Sequence, residues 1–247
     1  MIAGFARIDL AARDAAKAGE AYAAFLGRDP AEAASGFRLA NVTLRVRAAA
    51  AGEREGLARV AFAARDLPHA RRLLERRGVT TREEQSEVVL EPSASHGVGL
   101  ALEAANARSD GEASAAGDRI VGLDHVVIRT GDPERAIALY GARLGLDFRL
   151  DRSNPAWGSR LLFFRCGDAV VEISTALDSA RSDAPDALSG LAFRAADSDA
   201  AQNRLAKAGF DVSEARTGRK PGTRVFTLRS GLVGAPALII GGQSPDD

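Results

Sequence analysis

The chain has 247 residues, of which 46% are apolar and 27% charged, a composition typical of a globular protein with a core of one large or two average domains. Its 33 basic and 33 acidic side chains give a formal net charge of zero, and aromatic residues make up only 5%, so nucleic acid is not expected as a partner. The single cysteine, Cys166, excludes an internal disulfide bond, and no apolar run approaches the roughly 18 residues that a membrane span needs.

The first predicted elements are a strand, a helix and two further strands. The run RIDLAARDAAKAGEAYAAFLG begins at Arg7 and alternates apolar residues as a strand does. Asp14 then stands where a helix N-cap would accept backbone amides, and Gly27 suits a left-handed helix end. The further strands are predicted in FRLAN and VTLRVRA. Charged residues occupy the place of a signal peptide's apolar segment, so we expect a cytoplasmic protein.

The same unit recurs three times along the chain. The copies begin at Arg59, His125 and Gly190. Each has an aspartate at the predicted N-cap and a glycine at the predicted helix end, and these residues are Asp66 and Gly78, Asp132 and Gly145, and Asp197 and Gly209. In the third copy, three strands are predicted in DFRLDR, SRLLFFRCG and AVVEIST. The chain is therefore an internal repeat of four modules.

A strand, a helix and three strands in each copy predict an α+β fold built from four βαβββ modules. Two such sheets can pack side by side into a half-open cup, so four modules give two paired β-cups. The segment AANARSDGEASAAGDR is rich in Ala, Gly and Ser, as linkers are. We therefore predict an N-terminal domain at residues 1–105, a linker at 106–118 and a C-terminal domain at 119–243.

Three segments of the C-terminal half carry a family resemblance: LDHVVIRTGDPERAIALYGARLGLDF, RLLFFRCGDAVVEI and TRVFTLRSGLVGAPALII. They resemble the vicinal oxygen chelate superfamily, which includes glyoxalase I, extradiol dioxygenases, methylmalonyl-CoA epimerase and bleomycin-resistance proteins. The resemblance is close over residues 120–175, good over 188–240 and weaker over 1–104. It implies the glyoxalase/bleomycin resistance/dihydroxybiphenyl dioxygenase fold, a scaffold that serves several chemistries.

The resemblance also implies a divalent metal site. In the superfamily a histidine near the start of a module's first strand and a glutamate on its last strand bind the metal, and a second module completes the set. By resemblance His125 and Glu172 are these ligands, and they suit Zn, Fe, Mn, Ni or Co. At the histidine position the other modules have Arg7, Arg59 and Gly190. Catalytic sites normally have about three protein ligands, and the third is not identified from sequence.

Four arginines and a tryptophan are the candidate substrate-binding residues. Arg7 and Arg45 fall at the ligand positions of the first module, where two guanidinium groups could clamp a carboxylate or phosphate, or could form internal salt bridges. Arg129 and Arg165 are further cations on the predicted strands of the third module. Trp157 lies between two predicted strands, where it would cover an apolar ligand or cap the core.

Two functions remain open at this stage. The first is an enzyme that performs metal-assisted lyase, isomerase or dioxygenase chemistry in the C-terminal cup, with the metal as a Lewis acid and a catalytic base that the sequence does not identify. The alternative is a metal-free small-molecule binding protein of the bleomycin-resistance type with a degenerate metal site. Both predict a small-molecule partner and neither nucleic acid nor a membrane, and a homodimer stays open.

Overall fold

The computed structural model describes residues 1–105, 117–219, 221–234 and 236–242. The predicted linker therefore lies outside the described residues, apart from residues 117 and 118. Within these ranges no helix is long and apolar enough to cross a membrane.

The N-terminal half of the chain forms a seven-stranded sheet. Its strands are β1 (Ile2–Ala12), β2 (Phe37–Arg38), β3 (Thr43–Ala48), β4 (Gly56–Ala64), β5 (Thr81–Glu84), β6 (Glu87–Leu90) and β7 (Leu100–Ala104). Their order is β2-β3-β1-β4-β7-β6-β5, with β4 and β7 parallel and β5, β6 and β7 antiparallel. Helices α1 (Ala15–Leu26) and α2 (Leu67–Arg76) follow β1 and β4, and a short 3-10 helix spans Pro30–Ala34.

The C-terminal half forms a nine-stranded sheet. Its strands are β8 (Ile120–Arg129), β9 (Asp147–Asn154), β10 (Ser159–Cys166), β11 (Ala169–Ala176), β12 (Ala187–Asp197), β13 (Asp211–Val212), β14 (Arg216–Thr217), β15 (Thr223–Ser230) and β16 (Ala237–Gly242). The order is β13-β15-β16-β12-β8-β11-β10-β9, and β14 pairs with β15. Helix α3 (Pro133–Ala136) continues as a π-helical segment, Ile137–Arg143, and α4 (Ser198–Lys207) follows β12.

The predicted helix boundaries are confirmed in all four modules. In each, the aspartate carboxylate accepts a backbone N–H three residues further on, at 2.8 to 3.2 Å; these residues are Asp14, Asp66, Asp132 and Asp197. The predicted terminal glycines all have positive φ, between 70° and 85°; they are Gly27, Gly78, Gly145 and Gly209. Glycine adopts this left-handed backbone without strain. Each helix therefore begins and ends where its own short sequence dictates.

Two mixed, cup-like sheets with few helices confirm the predicted α+β fold class. The first module has only two strands after its helix, because residues 30–34 form the 3-10 helix. The described residues of Met1–Arg7, Arg59–Ala107 and His125–Ser189 form one compact unit, and those of Ile8–Ala58, Arg108–Asp124 and Gly190–Asp247 form a second. The boundaries between sequential domains stay a prediction.

Candidate functional site

The third module, which lies in the first unit, has one packed and one partly open sheet face. The packed face carries Val126, Ile128, Leu162, Phe164, Val171 and Ile173, all buried. On this side the ring of Phe164 lies 6.0 Å from the ring of Tyr140 in the π-helical segment. Directly paired residues of neighbouring strands share a face. The opposite face, which we call the His125 face, therefore carries His125, Val127, Arg129, Leu161, Phe163, Arg165, Val170, Glu172 and Ser174.

His125 and Glu172 lie together on this face. Strands β8 and β11 are parallel neighbours, and their register pairs His125 with Val170 and Val127 with Glu172. The Nε2 atom of His125 is 3.8 Å from Oε2 of Glu172, and their side chains are 17% and 16% exposed. The structure thus brings the two predicted metal ligands together, at a separation longer than a direct hydrogen bond.

A third metal ligand is not found in the parts of the chain that the structure describes, where no group of three His, Cys, Asp or Glu residues could hold a metal ion. When the modules are aligned at their first strands, Arg59 and Gly190 correspond to His125. The strand register then places Ala101 of the second module and Leu238 of the fourth at the position that Glu172 occupies in the third. Gly190 stands at the histidine position of the fourth module. The described donor set therefore falls one ligand short of a catalytic metal site.

Arg7, at the histidine position of the first module, is held in ion pairs. Its Nη2 donates to Glu87 Oε1 at 2.7 Å, and its Nη1 donates to Glu103. Arg59 contacts Glu84 at 3.0 Å and Glu87 at 3.2 Å. We call these five residues, all in the first unit, the Arg7 cluster. Because the Arg7 side chain is only 10% exposed, its charge is balanced by neighbouring carboxylates rather than by water.

Arg45 is paired in a similar way within the second unit. Its Nε and Nη2 atoms donate to the two carboxylate oxygens of Asp9, at 2.7 and 2.9 Å. A bidentate pair of this kind, between one guanidinium and one carboxylate, is a strong form of ion pair, and the Asp9 side chain is buried. Internal salt bridges, one of the two alternatives for Arg7 and Arg45, are therefore present. A role of either residue in substrate binding stays a prediction.

The remaining predicted binding residues belong to the third module. Arg129 is exposed at the end of β8, and Arg165 is exposed on β10, where its Nε donates to the Gly167 carbonyl at 3.1 Å. Trp157 ends a 3-10 turn between β9 and β10 and is 53% exposed. Leu150 of β9 is also exposed and lies opposite Phe163 on the His125 face.

Sequence reasoning missed the apolar part of this face, which is formed by Leu150 and Phe163, with the buried Leu161 on the same side of the sheet. The available signal was the alternation of side chains along β10, since every second residue of SRLLFFRC shares one face.

Comparisons with known proteins agree with the fold described above. Residues 122–233 match the family model of the Glyoxalase/Bleomycin resistance protein/Dioxygenase superfamily. A mutant of 4-hydroxymandelate synthase from Streptomyces coelicolor is 15% identical, with a TM-score of 0.73 over 100% of this chain and 94% of that chain. The 2,2',3-trihydroxybiphenyl 1,2-dioxygenase from Sphingomonas wittichii strain RW1 is 14% identical, with a TM-score of 0.67 over 100% and 93%.

A third structure, the Mn(II)-bound glyoxalase from Novosphingobium aromaticivorans, is 14% identical, with a TM-score of 0.65 over 97% of this chain and 82% of that chain. No curated protein sequence matches the chain. At such identities the solved structures establish the fold alone, and the family model matches residues 122–233, less than half of the chain. Residues 122–233 are therefore similar to the Glyoxalase/Bleomycin resistance protein/Dioxygenase superfamily, and the chain shares the fold of the solved structures.

Proposed function

We propose that the chain binds a small organic molecule on the His125 face and acts on it with His125 and Glu172 as the polar centre. The observation that carries this proposal is the 3.8 Å approach of Nε2 and Oε2 on a partly open face whose reverse side is packed. A carboxylate and an imidazole at this depth have lost much of their hydration, so polar groups of a ligand would stabilise them.

The residues around the pair suit a ligand with an apolar body and an anionic group. Phe163 provides apolar surface beside Glu172, its direct partner across the strands, and the exposed Leu150 lies opposite Phe163. The exposed guanidinium groups of Arg129 and Arg165 stand toward opposite ends of the face. A mostly apolar surface with a few placed polar groups is the usual composition of small-molecule sites.

The chain's own residues supply acid–base chemistry in this proposal. The Glu172 carboxylate would accept a hydrogen bond or a proton from a ligand hydroxyl. The His125 imidazole would donate a hydrogen bond to a ligand oxygen or exchange a proton with it. Because the described residues fall one ligand short of a catalytic metal site, neither role is assigned to a metal.

The second candidate function is metal-assisted lyase, isomerase or dioxygenase chemistry at the same pair. It is favoured by the donor set, because an imidazole and a carboxylate on one face can both bind one divalent ion such as Zn, Fe, Mn, Ni or Co. This candidate requires another donor, from a bound ligand or from outside the described residues. A cytoplasmic location also stays a proposal, and a homodimer stays open.

A thermal-shift screen of the full chain tests the proposal. A panel of alkyl and aryl carboxylates, with and without hydroxyl groups, would be measured against wild type, His125→Ala, Glu172→Ala and the control His69→Ala, which removes an exposed helical histidine. We expect at least one compound to raise Tm in wild type and His69→Ala but not in the two site variants, because a bound ligand stabilises only the folded state. Equal shifts in all four proteins would contradict the proposal.

Metal analysis separates the two candidates. Purified wild type, His125→Ala and Glu172→Ala would be supplemented with Zn, Mn, Fe, Ni or Co, dialysed, and assayed for bound metal. The first candidate predicts no stoichiometric metal and no difference among the three proteins. One ion per wild-type chain, lost in both variants, would support the metal-assisted function instead.

A further inference from the structure

One row of residues on the His125 face carries two arginines and no carboxylate. The strand registers pair Arg152 with Leu161, Leu161 with Ser174, and Ser174 with Arg129, so these four residues form a row across β9, β10, β11 and β8. Directly paired residues of neighbouring strands share a face, and all four therefore lie on the His125 face. We call them the Arg152 row, and all four belong to the first unit.

The two arginines of this row are exposed, and neither forms an ion pair with any residue that the structure describes. Other arginines of the module have carboxylate partners. Arg149 is 2.8 Å from Asp147, and Arg160 donates to the two carboxylate oxygens of Asp151 at 2.9 and 2.6 Å. The positive charge of the Arg152 row is therefore available to a ligand.

The other end of the face differs in its charge. Arg165 is directly paired with Asp147 across β10 and β9, and it donates to the Gly167 carbonyl at 3.1 Å. A carboxylate therefore stands beside Arg165, whereas none stands in the Arg152 row. Because like charges repel, an anion is bound less favourably beside Asp147. Of the two ends, the Arg152 row is the one suited to an anionic group.

We propose that the Arg152 row binds the anionic group, a carboxylate or phosphate, of the small molecule that occupies the His125 face. This inference rests on the proposed function for the other contacts of the ligand. Guanidinium groups bind such oxyanions through paired N–H donors, and the Ser174 hydroxyl lies in the row as a further donor. Arg152 is then a specificity-determining residue, which selects anionic ligands together with Arg129.

The position of the row also defines the size of the ligand. Ser174 and Glu172 lie two residues apart on the same face of β11, which corresponds to about 7 Å. A ligand that contacts both has its anionic group about 7 Å from the hydroxyl or carbonyl that meets Glu172. One aromatic ring with substituents at opposite positions is nearly this long, and the half-buried Phe163 beside Glu172 offers it apolar surface. The substrate class is therefore a short organic acid with a second polar group at its far end.

Inorganic phosphate is the probe for this site, because it carries the anionic charge without an apolar body. It would be titrated into the full isotope-labelled chain while NMR follows the Nε–H signals of Arg129 and Arg152. Wild type would be compared with Arg129→Gln, Arg152→Gln and the control Arg149→Gln, which removes an exposed arginine of the same strand that is paired with Asp147. We expect saturable shifts, with Kd unchanged in the control and raised about fivefold in the other two variants.

Three results of this titration would overturn the inference. They are the absence of saturable binding, shifts confined to other arginines, and an equal Kd in all four proteins.

Further variants distinguish this inference from the proposed function. Phosphate bound at the Arg152 row should bind equally well to His125→Ala, which leaves the row intact. If phosphate binding is lost in His125→Ala and kept in Arg152→Gln, the anion binds at the His125 pair and the inference fails. Phosphate binding at the row, combined with a carboxylate screen that yields no ligand, contradicts the proposed function alone. A screened ligand that depends on His125 and Glu172 but binds Arg152→Gln as tightly as wild type overturns only the role of the Arg152 row.

Discussion

Arg7 and His125 occupy the same position in two copies of one module, yet their surroundings differ. Arg7 donates hydrogen bonds to Glu87 at 2.7 Å and to Glu103. His125 faces Glu172 at 3.8 Å, beyond direct hydrogen-bond distance. A guanidinium is always charged and cannot coordinate a metal, whereas an imidazole can be neutral, donate, accept or coordinate. The same place in the repeat therefore serves stability in one module and is suited to ligand chemistry in the other.

The largest expected effect comes from breaking the Arg7 cluster. Arg7→Met would leave Glu87 and Glu103 partly buried without their main cation, and we expect a loss of about 3–5 kcal/mol of unfolding free energy. Arg13→Ala, which removes an exposed arginine paired with Glu55, should change stability by less than about 0.5 kcal/mol. Urea unfolding measures both. A loss below about 1 kcal/mol in Arg7→Met would show that the cluster is not a stability element.

Substitutions on the His125 face should affect the stability of the fold much less than Arg7→Met. His125 and Glu172 lie 3.8 Å apart on a partly open face, so we expect His125→Ala and Glu172→Ala each to lower the unfolding free energy by less than Arg7→Met does. The same urea experiment measures this. If either variant is destabilised as strongly as Arg7→Met, the pair is structural and the contrast between the two modules fails.

A smaller effect on the stability of the fold is expected from a change in pH. A hydrogen bond from Arg82, assisted by Arg59, holds the pKa of Glu84 below its ordinary value of 4.5. A carboxylate with a lowered folded-state pKa stabilises the fold above its unfolded pKa, and this contribution is lost as pH falls below about 4.5. The urea midpoint should therefore decrease from pH 6 to pH 3.

Glu84→Gln sharpens this prediction. The variant should show a shallower decrease of the urea midpoint than wild type over the same pH range. Asp151, whose pKa the hydrogen bond from Arg160 lowers, acts in the same direction and remains in the variant, so the decrease should not vanish. Identical pH profiles for wild type and Glu84→Gln would exclude a contribution of Glu84 to acid stability.

The sequence predicted the local features well, because each depends on residues close together in the chain. An aspartate cap and its acceptor amides are three residues apart, and a terminal glycine needs only its own φ. The pairing of His125 with Glu172 was reached through family resemblance, and the parallel register of β8 and β11 places the two together.

The partners of Arg7 could not be predicted in this way. Glu87 and Glu103 come from β6 and β7, and nothing in the local pattern fixes which of their residues share a face with β1. The hydrogen bonds of Asp186 were missed for a related reason. Thr130 follows β8, Arg135 lies in the next helix and Asp186 directly precedes β12, so only the folded chain brings them together.

The most direct test of the account is the affinity of a ligand identified in the screen, measured through the fluorescence of Trp157, the chain's single tryptophan. Wild type and His125→Ala would be titrated with and without excess EDTA. We predict that EDTA leaves the wild-type Kd unchanged and that His125→Ala raises Kd at least about tenfold, which is about 1.4 kcal/mol. An unchanged Kd in His125→Ala, or loss of wild-type binding in EDTA, would contradict a ligand site formed by the chain's own residues.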